Sequence, residues 1–339
     1  MDILYYAMSE LLKRIRKNST IPSASILKSS KYFDSGKLIK TRIPLFNLAL
    51  SGKLDGGLPS GIIQIAAPPK HFKTKFLHEL MYAFQENNKG EDYFIVLYDS
   101  ELGSTLEYYE KAGLDTTRID HRPIKSVEEL KSDIANLLND VTDKDKIFIC
   151  IDSIGMLRSN KETLDAIDGK TTADMTRAKE LNSLFRIITA ESAIKQIPIA
   201  VINHSYQTLE LYSKEVASGG RKTQYAAHSL FFITKAQEKE DKELKGFTFT
   251  LRAGLSRYVK ENSTFPILVF FDEGIYRYSG MFDLALEFGF VKSEKQGWYV
   301  VAGDEKQKRR ADIEEDATFI ESLLANADFC AKVEAKYSL

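Results

Sequence analysis

Ile62-Ile63-Gln64-Ile65-Ala66-Ala67 runs without a break into Pro68-Pro69-Lys70-His71-Phe72-Lys73-Thr74, and from there into the helix-like KFLHELMYAFQEN of residues 75–87. An apolar strand, a short loop ending in Lys-Thr and a helix form the context that a phosphate-binding loop requires. Backbone N–H groups at the helix start would face the phosphates, Lys73 would reach the β and γ positions, and the Thr74 hydroxyl would hold Mg²⁺. The fit to GxxxxGK[ST] is partial: Ala67 replaces the first glycine and Phe72 the second, so Lys73 and Thr74 alone match. The competing reading is a Lys-Thr pair that starts an ordinary helix. Gly169-Lys170-Thr171 shows why context matters, because it follows a charged Asp-Ala-Ile-Asp, has Leu164 at the first glycine position, and no strand feeds it.

Outward from this stretch, apolar runs alternate with helix-length segments. YFIVLY (93–98), IFICID (147–152), IPIAVIN (197–203) and LFFIT (230–234) read as further strands, and residues 176–194 as a helix. Continuous apolar strands separated by amphipathic helices indicate a mostly parallel sheet covered on both faces, an α/β fold. FTFTLRA (247–253) and FPILVFFD (265–272) follow without a helix between them, which predicts an antiparallel extension. Residues 1–40 read as an N-terminal arm, with an apolar stripe of Leu4, Met8, Leu11 and Ile15 on a helix over 3–16 and a Ser-rich linker over 19–30. Residues 41–278 read as the core and 279–339 as a small C-terminal module that closes on one helix from Ala317 to Tyr337.

The strand ends carry the chemistry. Asp152 ends one apolar run, where a carboxylate can orient Mg²⁺ through water. Asp99 and Glu101 lie at the end of another, where a carboxylate can act as general base for an attacking water. In open parallel sheets ligands bind off the carboxyl edge, so the Lys-Thr loop and both acidic ends face one crevice. The bland account is acidic residues that merely end strands and cap helices. Asn203 and His204, at a third strand end, are placed to hydrogen-bond a γ-phosphate and to pass its presence to the loop that follows. That loop, to Tyr225, holds Tyr206, Tyr212, Lys214, Gly219, Gly220, Arg221 and Lys222. Aromatics interleaved with cations suit single-stranded nucleic acid. A second long loop, 155–174, has mixed charges and includes Arg158, Lys161 and Lys170.

Composition excludes several classes. With 47 Lys+Arg against 48 Asp+Glu the net charge is −1, which argues against a whole-protein cationic footprint but not against a local one. Residues 1–40 carry eight Lys/Arg and three Asp/Glu, either a solvated basic face or an arm that docks on a neighbour. No apolar run is long enough to span a membrane, and the N-terminus lacks the pattern of a secretion signal. Two cysteines 180 positions apart suit a reducing compartment, and five histidines without metal spacing give no zinc site. No GxGxxG follows the first strand, which disfavours a Rossmann dehydrogenase.

KTRIPLFNLALSGKLDGGLPSGIIQIAAPPKHFKTK, LYDSELGS, IDSIGMLRSNKETLDA, DMTRAKELNSLFRIIT, AVINHSY and FDLALEFGF with GWY, in that order, resemble the bacteriophage UvsX-type recombinases, a branch of the RecA family. The resemblance runs from about residue 30 to the last helix. It implies a RecA-like P-loop ATPase core with an antiparallel extension, two DNA-binding loops, a short N-terminal oligomerisation arm and a small C-terminal α+β module. It further implies ATP phosphate binding by Pro68, Pro69, Lys70, His71, Phe72, Lys73 and Thr74, with Mg²⁺ held through Thr74 and Asp152. Glu101 would activate water, Tyr108 would stack on adenine, and His204 would couple the γ-phosphate to the second loop. Segments 155–174 and 205–224 match two disordered loops that bind DNA along the filament axis. Two cations near residue 255 reach the ATP of the adjacent subunit in the family. Arg257 matches one and Leu255 stands where the other belongs, leaving Lys260 and Arg252 as alternatives.

The activity so implied is ATP-dependent polymerisation on single-stranded DNA with pairing and strand exchange on homologous duplex DNA. Hydrolysis would be stimulated by DNA, the protein would act in the host cytoplasm, and mediator and single-strand-binding proteins would be its partners. Two alternatives share the fold: a hexameric DNA motor of the helicase kind, and an accessory filament protein with little hydrolysis.

Overall fold

A computed structural model describes residues 9–21, 24–30, 38–170, 175–208, 215–240, 243–271, 274–304 and 306–339. The chain divides into two units, residues 1–35 and 36–339. The first contains α1 (Glu10–Arg16), capped by Ser9, whose hydroxyl accepts the Leu12 amide. The helix expected over 3–16 is therefore seen from Glu10 onward; Leu4 and Met8 lie outside the described residues. A 3₁₀ turn at Leu27–Ser29 interrupts the stretch read as linker.

The second unit opens with α2 (Pro44–Ser51), with proline in the first turn, where no amide donor is needed, and a left-handed Gly52 at its end. There follow β1 (Gly61–Ala67), α3 (Lys73–Asn87), β2 (Tyr93–Asp99), α4 (Leu106–Lys111), β3 (Ile119–Pro123), α5 (Val127–Asp140) and β4 (Lys146–Asp152). Then come α6 (Asn160–Ile167), α7 (Thr176–Lys195), β5 (Pro198–Gln207), β6 (Glu215–Ala217), α8 (Arg221–Ala226), β7 (Ser229–Glu240), β8 (Glu243–Ser256), β9 (Thr264–Phe270) and β10 (Gly274–Ile275). The C-terminal part is α9 (Met281–Glu287), β11 (Val291–Lys295), β12 (Trp298–Val301), β13 (Gln307–Lys308), α10 (Arg310–Glu314), α11 (Ala317–Leu324) and α12 (Ala327–Tyr337).

The main sheet runs β10-β9-β8-β7-β1-β5-β4-β2-β3, with β6 paired to the end of β5. Strands β7, β1, β5, β4, β2 and β3 are mutually parallel, and β7 to β10 are antiparallel, so the sheet is mixed as the strand pattern implied. Alternate residues of the central strands feed two cores. Ile63, Ile65 and Ala67 join Phe76, Leu80 and the C-terminal Ile320 and Phe329 on one face. Ile62, Val96 and Ile151 join Leu130 of α5 and Leu184 of α7 on the other. Register matters for the site. Parallel pairing sets Asp99 beside Asp152 at the tips of β2 and β4, and Ala67, at the tip of β1, beside His204 of β5.

Three expectations need correction. The closing helix is two helices, because Asn326 turns its side-chain oxygen to the amides of Asp328 and Phe329 and caps α12, ending α11 before it. The long loop read over 205–224 is largely ordered into the end of β5, β6 and α8, and only residues 209–214 within it lie outside the description. Segment 155–174 also has structure, since Ser159 and Glu162 form a reciprocal capping box that starts α6. Conversely, β3 and α5 escaped sequence reading: β3 is an edge strand with only partly buried or exposed residues, so it lacks an apolar run.

One buried group predicts how stability responds to acid. His78 of α3 is 2 % exposed, packs against Tyr108 and Tyr109, and has no partner at either ring nitrogen. Burial, reinforced by the Lys75 charge, pushes its imidazole down to about 3. Below about pH 6.5 the unfolded chain takes up a proton that the folded chain refuses. The stability concerned is therefore complete above that value and is lost as the pH falls towards about 3. At about 1.4 kcal/mol per pH unit, His78→Leu should shrink the stability difference between pH 7.5 and 5.0 by about 2 kcal/mol. Urea denaturation at the two pH values measures it; an unchanged difference would contradict the assignment.

Candidate active site

The loop between β1 and α3 solves a backbone problem without glycine. Lys70 and Phe72 adopt φ of 62° and 65°, the left-handed region that glycine enters freely. For Phe72 the cost, about 1–2 kcal/mol, is offset by its ring, which stacks on Phe249 of β8 at 4.7 Å and meets Phe76 edge-on at 5.9 Å. Ala67 needs no such geometry, because it ends β1 in ordinary strand conformation, fully buried. His71 Nδ1 lies 2.9 Å from the Pro69 carbonyl. The loop thus delivers Lys73 and Thr74 to the first turn of α3, where helix amides have no intrahelical acceptor and the macrodipole favours anions.

Three strand tips converge on that turn. Lys73 is 8 % exposed and its ammonium donates to the Pro68 carbonyl at 3.1 Å. Burial pushes the lysine down from its ordinary value, while Glu101 and Asp152 pull it back up. The Thr74 hydroxyl donates to Asp152 Oδ2 at 2.8 Å. Burial pushes Asp152 up to about 6; the Thr74 hydrogen bond opposes the shift and the charges of Glu101 and Asp99 add to it. Asp99 does not face the loop as a free carboxylate. Its Oδ1 accepts the amides of Glu101 and Leu102 at 3.0 and 2.8 Å, and its Oδ2 lies 3.3 Å from His121 Nε2 of β3.

Glu101 is thereby aimed across the crevice. The Ser153 hydroxyl donates to its Oε1 at 2.8 Å, and His204 Nε2 approaches the same oxygen at 3.1 Å. The hydrogen bond from His204 is the largest of the effects that hold Glu101 below the usual carboxylate range, with burial opposing and Ser153 and Lys73 assisting. Thr74, Asp99, Glu101, Thr105, Tyr108 and Asp152 line a cavity of about 440 Å³. Tyr108, on α4, is half-buried, and the Lys75 ammonium lies 3.5 Å over its ring. Asn203 holds the next loop rather than the crevice: its side-chain nitrogen donates to the Ser218 carbonyl at 2.9 Å, and its oxygen accepts the His204 amide at 2.8 Å.

Several contributors carried no sequence signal. Ser100 and Ser153 lock the tips of β2 and β4 together, the Ser100 hydroxyl donating to the Ser153 carbonyl and accepting its amide. The Asp152-Ser153 peptide is cis. At Gly155 a Cβ would stand 2.1 Å from His204 Cδ2, so glycine is what lets the imidazole reach Glu101. Arg177 of α7 donates to the carbonyls of Ile154, Gly155 and Leu157 and fixes the root of the first long loop. A Ser or Gly after an acidic strand tip was the one available hint.

The cations expected elsewhere are placed differently. Lys161 and Lys170 pair with Asp165 and Asp168 at 2.6 and 2.8 Å, and Arg158 bridges to Ser126 through its backbone. Tyr206 is exposed on β5, Lys222 is exposed on α8, Arg221 opens α8, and Gly219 and Gly220 take left-handed φ just before it. Tyr212 and Lys214 lie outside the described residues. Leu255 packs against the apolar cluster of Ala66, Ala217, Leu230 and Phe232. Arg252 pairs with Glu215 at 3.2 Å, and Lys260 caps the end of α12 by donating to the carbonyls of Ala335 and Lys336. The Arg257 amide donates to the His228 carbonyl at 2.9 Å, and burial, assisted by the Arg257 charge, pushes that imidazole down to about 4.

Comparison with known proteins decides the family. The "Recombination and repair protein" of Enterobacteria phage T4 is 43% identical over 292 residues, covering 86% of this chain and 74% of that protein. The chain belongs to this family of UvsX-type recombinases. Residues 278–333 of the recombinase match the family model described as "Bacteriophage T4, Recombination and repair protein, C-terminal domain". "Protein RecA" of Chlorobaculum tepidum is 26% identical over 256 residues, covering 74% of this chain and 70% of that protein. No helix among the recombinase's described residues is long and apolar enough to cross a membrane.

Proposed function

We propose that ATP binds in the crevice at the tips of β1, β2, β4 and β5, and that its hydrolysis there drives the strand-exchange activity of this recombinase on single-stranded and homologous duplex DNA. The observation that carries this reading is the Glu101 carboxylate, held ionised between Ser153 and His204 and opening on the cavity that also contains Thr74 and Asp152. Lys73 and the amides of α3 take the phosphates, Tyr108 receives the base, and Glu101 takes the proton of the attacking water.

The donor set suits Mg²⁺. A threonine hydroxyl and a carboxylate stand side by side, and among the described residues no group of three or more His, Cys, Asp or Glu forms a metal cage. Mg²⁺ is usually held this way, by one or two protein oxygens with substrate phosphates and water. When bound, the ion neutralises charge on the phosphates. Thr74 and Asp152 orient it, and Lys73 keeps three nearby carboxylates from repelling the nucleotide.

His204 reads the crevice and begins the second loop, so nucleotide state reaches the residues proposed for DNA, Tyr206, Gly219, Gly220, Arg221 and Lys222 together with Tyr212 and Lys214. Arg158, Lys161 and Lys170 serve on the first loop, where the ion pairs of the two exposed lysines contribute little and can exchange for phosphates. Arg257 reaches the nucleotide of the adjacent subunit in a helical filament. Residues 1–40 act as the oligomerisation arm, 41–278 as the ATPase core and 279–339 as the C-terminal domain.

The test is hydrolysis with and without single-stranded DNA, paired with electron microscopy. ATPase activity should rise with DNA, and filaments should form with ATP or a non-hydrolysable analogue. Neither stimulation nor filaments would sink the reading, and closed rings that translocate on forked DNA would favour a motor instead.

A further inference from the structure

Gln64 is a polar residue in the middle of β1, a strand buried along its whole length, and its own exposure is nil. Its side-chain nitrogen donates to the Thr223 carbonyl of α8 at 2.7 Å. Its side-chain oxygen is buried without a partner. An unsatisfied buried acceptor is costly, and an isosteric apolar residue at this position would only move the cost to the Thr223 carbonyl.

What the amide achieves lies at the other end of the bond. α8 has only six residues, too few to hold itself together, and Gly220 begins it without a side-chain cap. The next amide in line, that of Ala227, donates to Gln224 and leaves the Thr223 carbonyl to Gln64. Gln224 adds a second tether, its side-chain nitrogen donating to the Ala217 carbonyl at 3.1 Å. Two left-handed glycines precede the helix and give it a hinge. α8, with its exposed Lys222 and Tyr225, is held by the packing of Ala226 and Ala227 against the apolar core together with a few hydrogen bonds, and one of these comes from the strand that enters the phosphate loop after Ala67.

We propose that Gln64 is a positioning residue that ties the second DNA loop to the nucleotide loop, separately from the contact of His204 with Glu101. His204 and Asn203 hold the beginning of that loop; Gln64 holds its end. A shift of β1 as the phosphate loop closes is passed through the Gln64 amide to α8, and DNA bound at α8 acts back on β1 along the same bond. The inference rests on the reading that ATP and DNA bind where proposed above.

Gln64→Met keeps length and volume, removes the donor, and trades the orphaned Gln64 oxygen for an orphaned Thr223 carbonyl, so the number of unsatisfied buried acceptors is unchanged and the fold is expected to survive with its thermal midpoint little changed. ATPase activity without DNA should stay within about twofold of the unsubstituted protein. Stimulation by single-stranded DNA should fall about fivefold or more, with a matching loss of ATP-dependent DNA affinity. Gln64→Glu, whose fully buried carboxyl stays protonated and can donate its O–H to the Thr223 carbonyl, should restore stimulation. Full stimulation in a folded Gln64→Met protein, or equal loss of activity with and without DNA, would overturn the proposal. If the unsubstituted protein itself shows no stimulation, it is the ATP and DNA assignment that has failed.

Discussion

Replacing Lys73 by alanine is expected to abolish ATP hydrolysis while leaving the chain folded. The ammonium is nearly buried, is held on the Pro68 carbonyl at 3.1 Å, and is the cation that Glu101 and Asp152 both act upon. Its removal leaves three carboxylates, Asp99, Glu101 and Asp152, around a crevice proposed to receive a polyphosphate. Removing one preorganised stabilising group commonly costs about 10²- to 10³-fold in rate, and loss of a full charge facing phosphates belongs at or beyond the upper end. Lys73 also begins α3, where its side chain supports no backbone hydrogen bond of the helix, so alanine is a good helix former at little structural cost. Steady-state ATPase assays with saturating single-stranded DNA measure the effect, and a variant that retains a tenth of the activity would rule out the role.

Glu101→Gln separates chemistry from binding. The amide keeps an oxygen for the Ser153 hydroxyl but has no basic carboxylate, so the rate of turnover should fall by about 10²- to 10⁴-fold, the usual contribution of a positioned general base. Affinity for nucleotide should change far less, because Lys73, Thr74 and Asp152 are untouched. A variant that binds ATP, forms long-lived filaments and turns over slowly is the expected outcome. Parallel loss of nucleotide binding and turnover would instead make Glu101 a binding residue.

The parts of the fold that announced themselves were those where burial is continuous. Ile62 to Ala67, Phe148 to Ile151 and Ile199 to Ile202 are buried on both faces of the sheet, so their apolar runs could be read as parallel strands directly. The edge strand Ile119–Pro123 lacked that mark, and Asn326 divides the last helix by a cap that periodicity does not show; Val127–Asp140, by contrast, carries a readable stripe of Val127, Leu130, Ile134 and Leu138 behind a Ser126/Glu129 capping box. In the candidate site, Lys73 and Thr74 were legible from the strand, loop and helix context, and Glu101, Asp152 and His204 from the apolar runs they follow or close. The supports were not. A serine hydroxyl that aims a carboxylate, a glycine that admits a histidine, and an arginine that gathers three carbonyls have no spacing rule, since each acts across 20 to 52 residues of chain that only the fold brings together. The glycines expected in the phosphate loop were absent for a related reason. The loop requires left-handed backbone, and an aromatic side chain with enough packing at Phe72 supplies it.

The shared oxygen of Glu101 has one more consequence. Ser153 and His204 both address Oε1, so the group proposed to activate water is also the anchor of the second loop. A base that turns towards water loosens its hold on the imidazole, and an imidazole pulled away by the loop frees the base. Speed of turnover and tenacity of grip are then settings of one dial. A variant selected to stay longer on DNA should be found to burn ATP more slowly, and no substitution at Glu101 or His204 should be able to improve both.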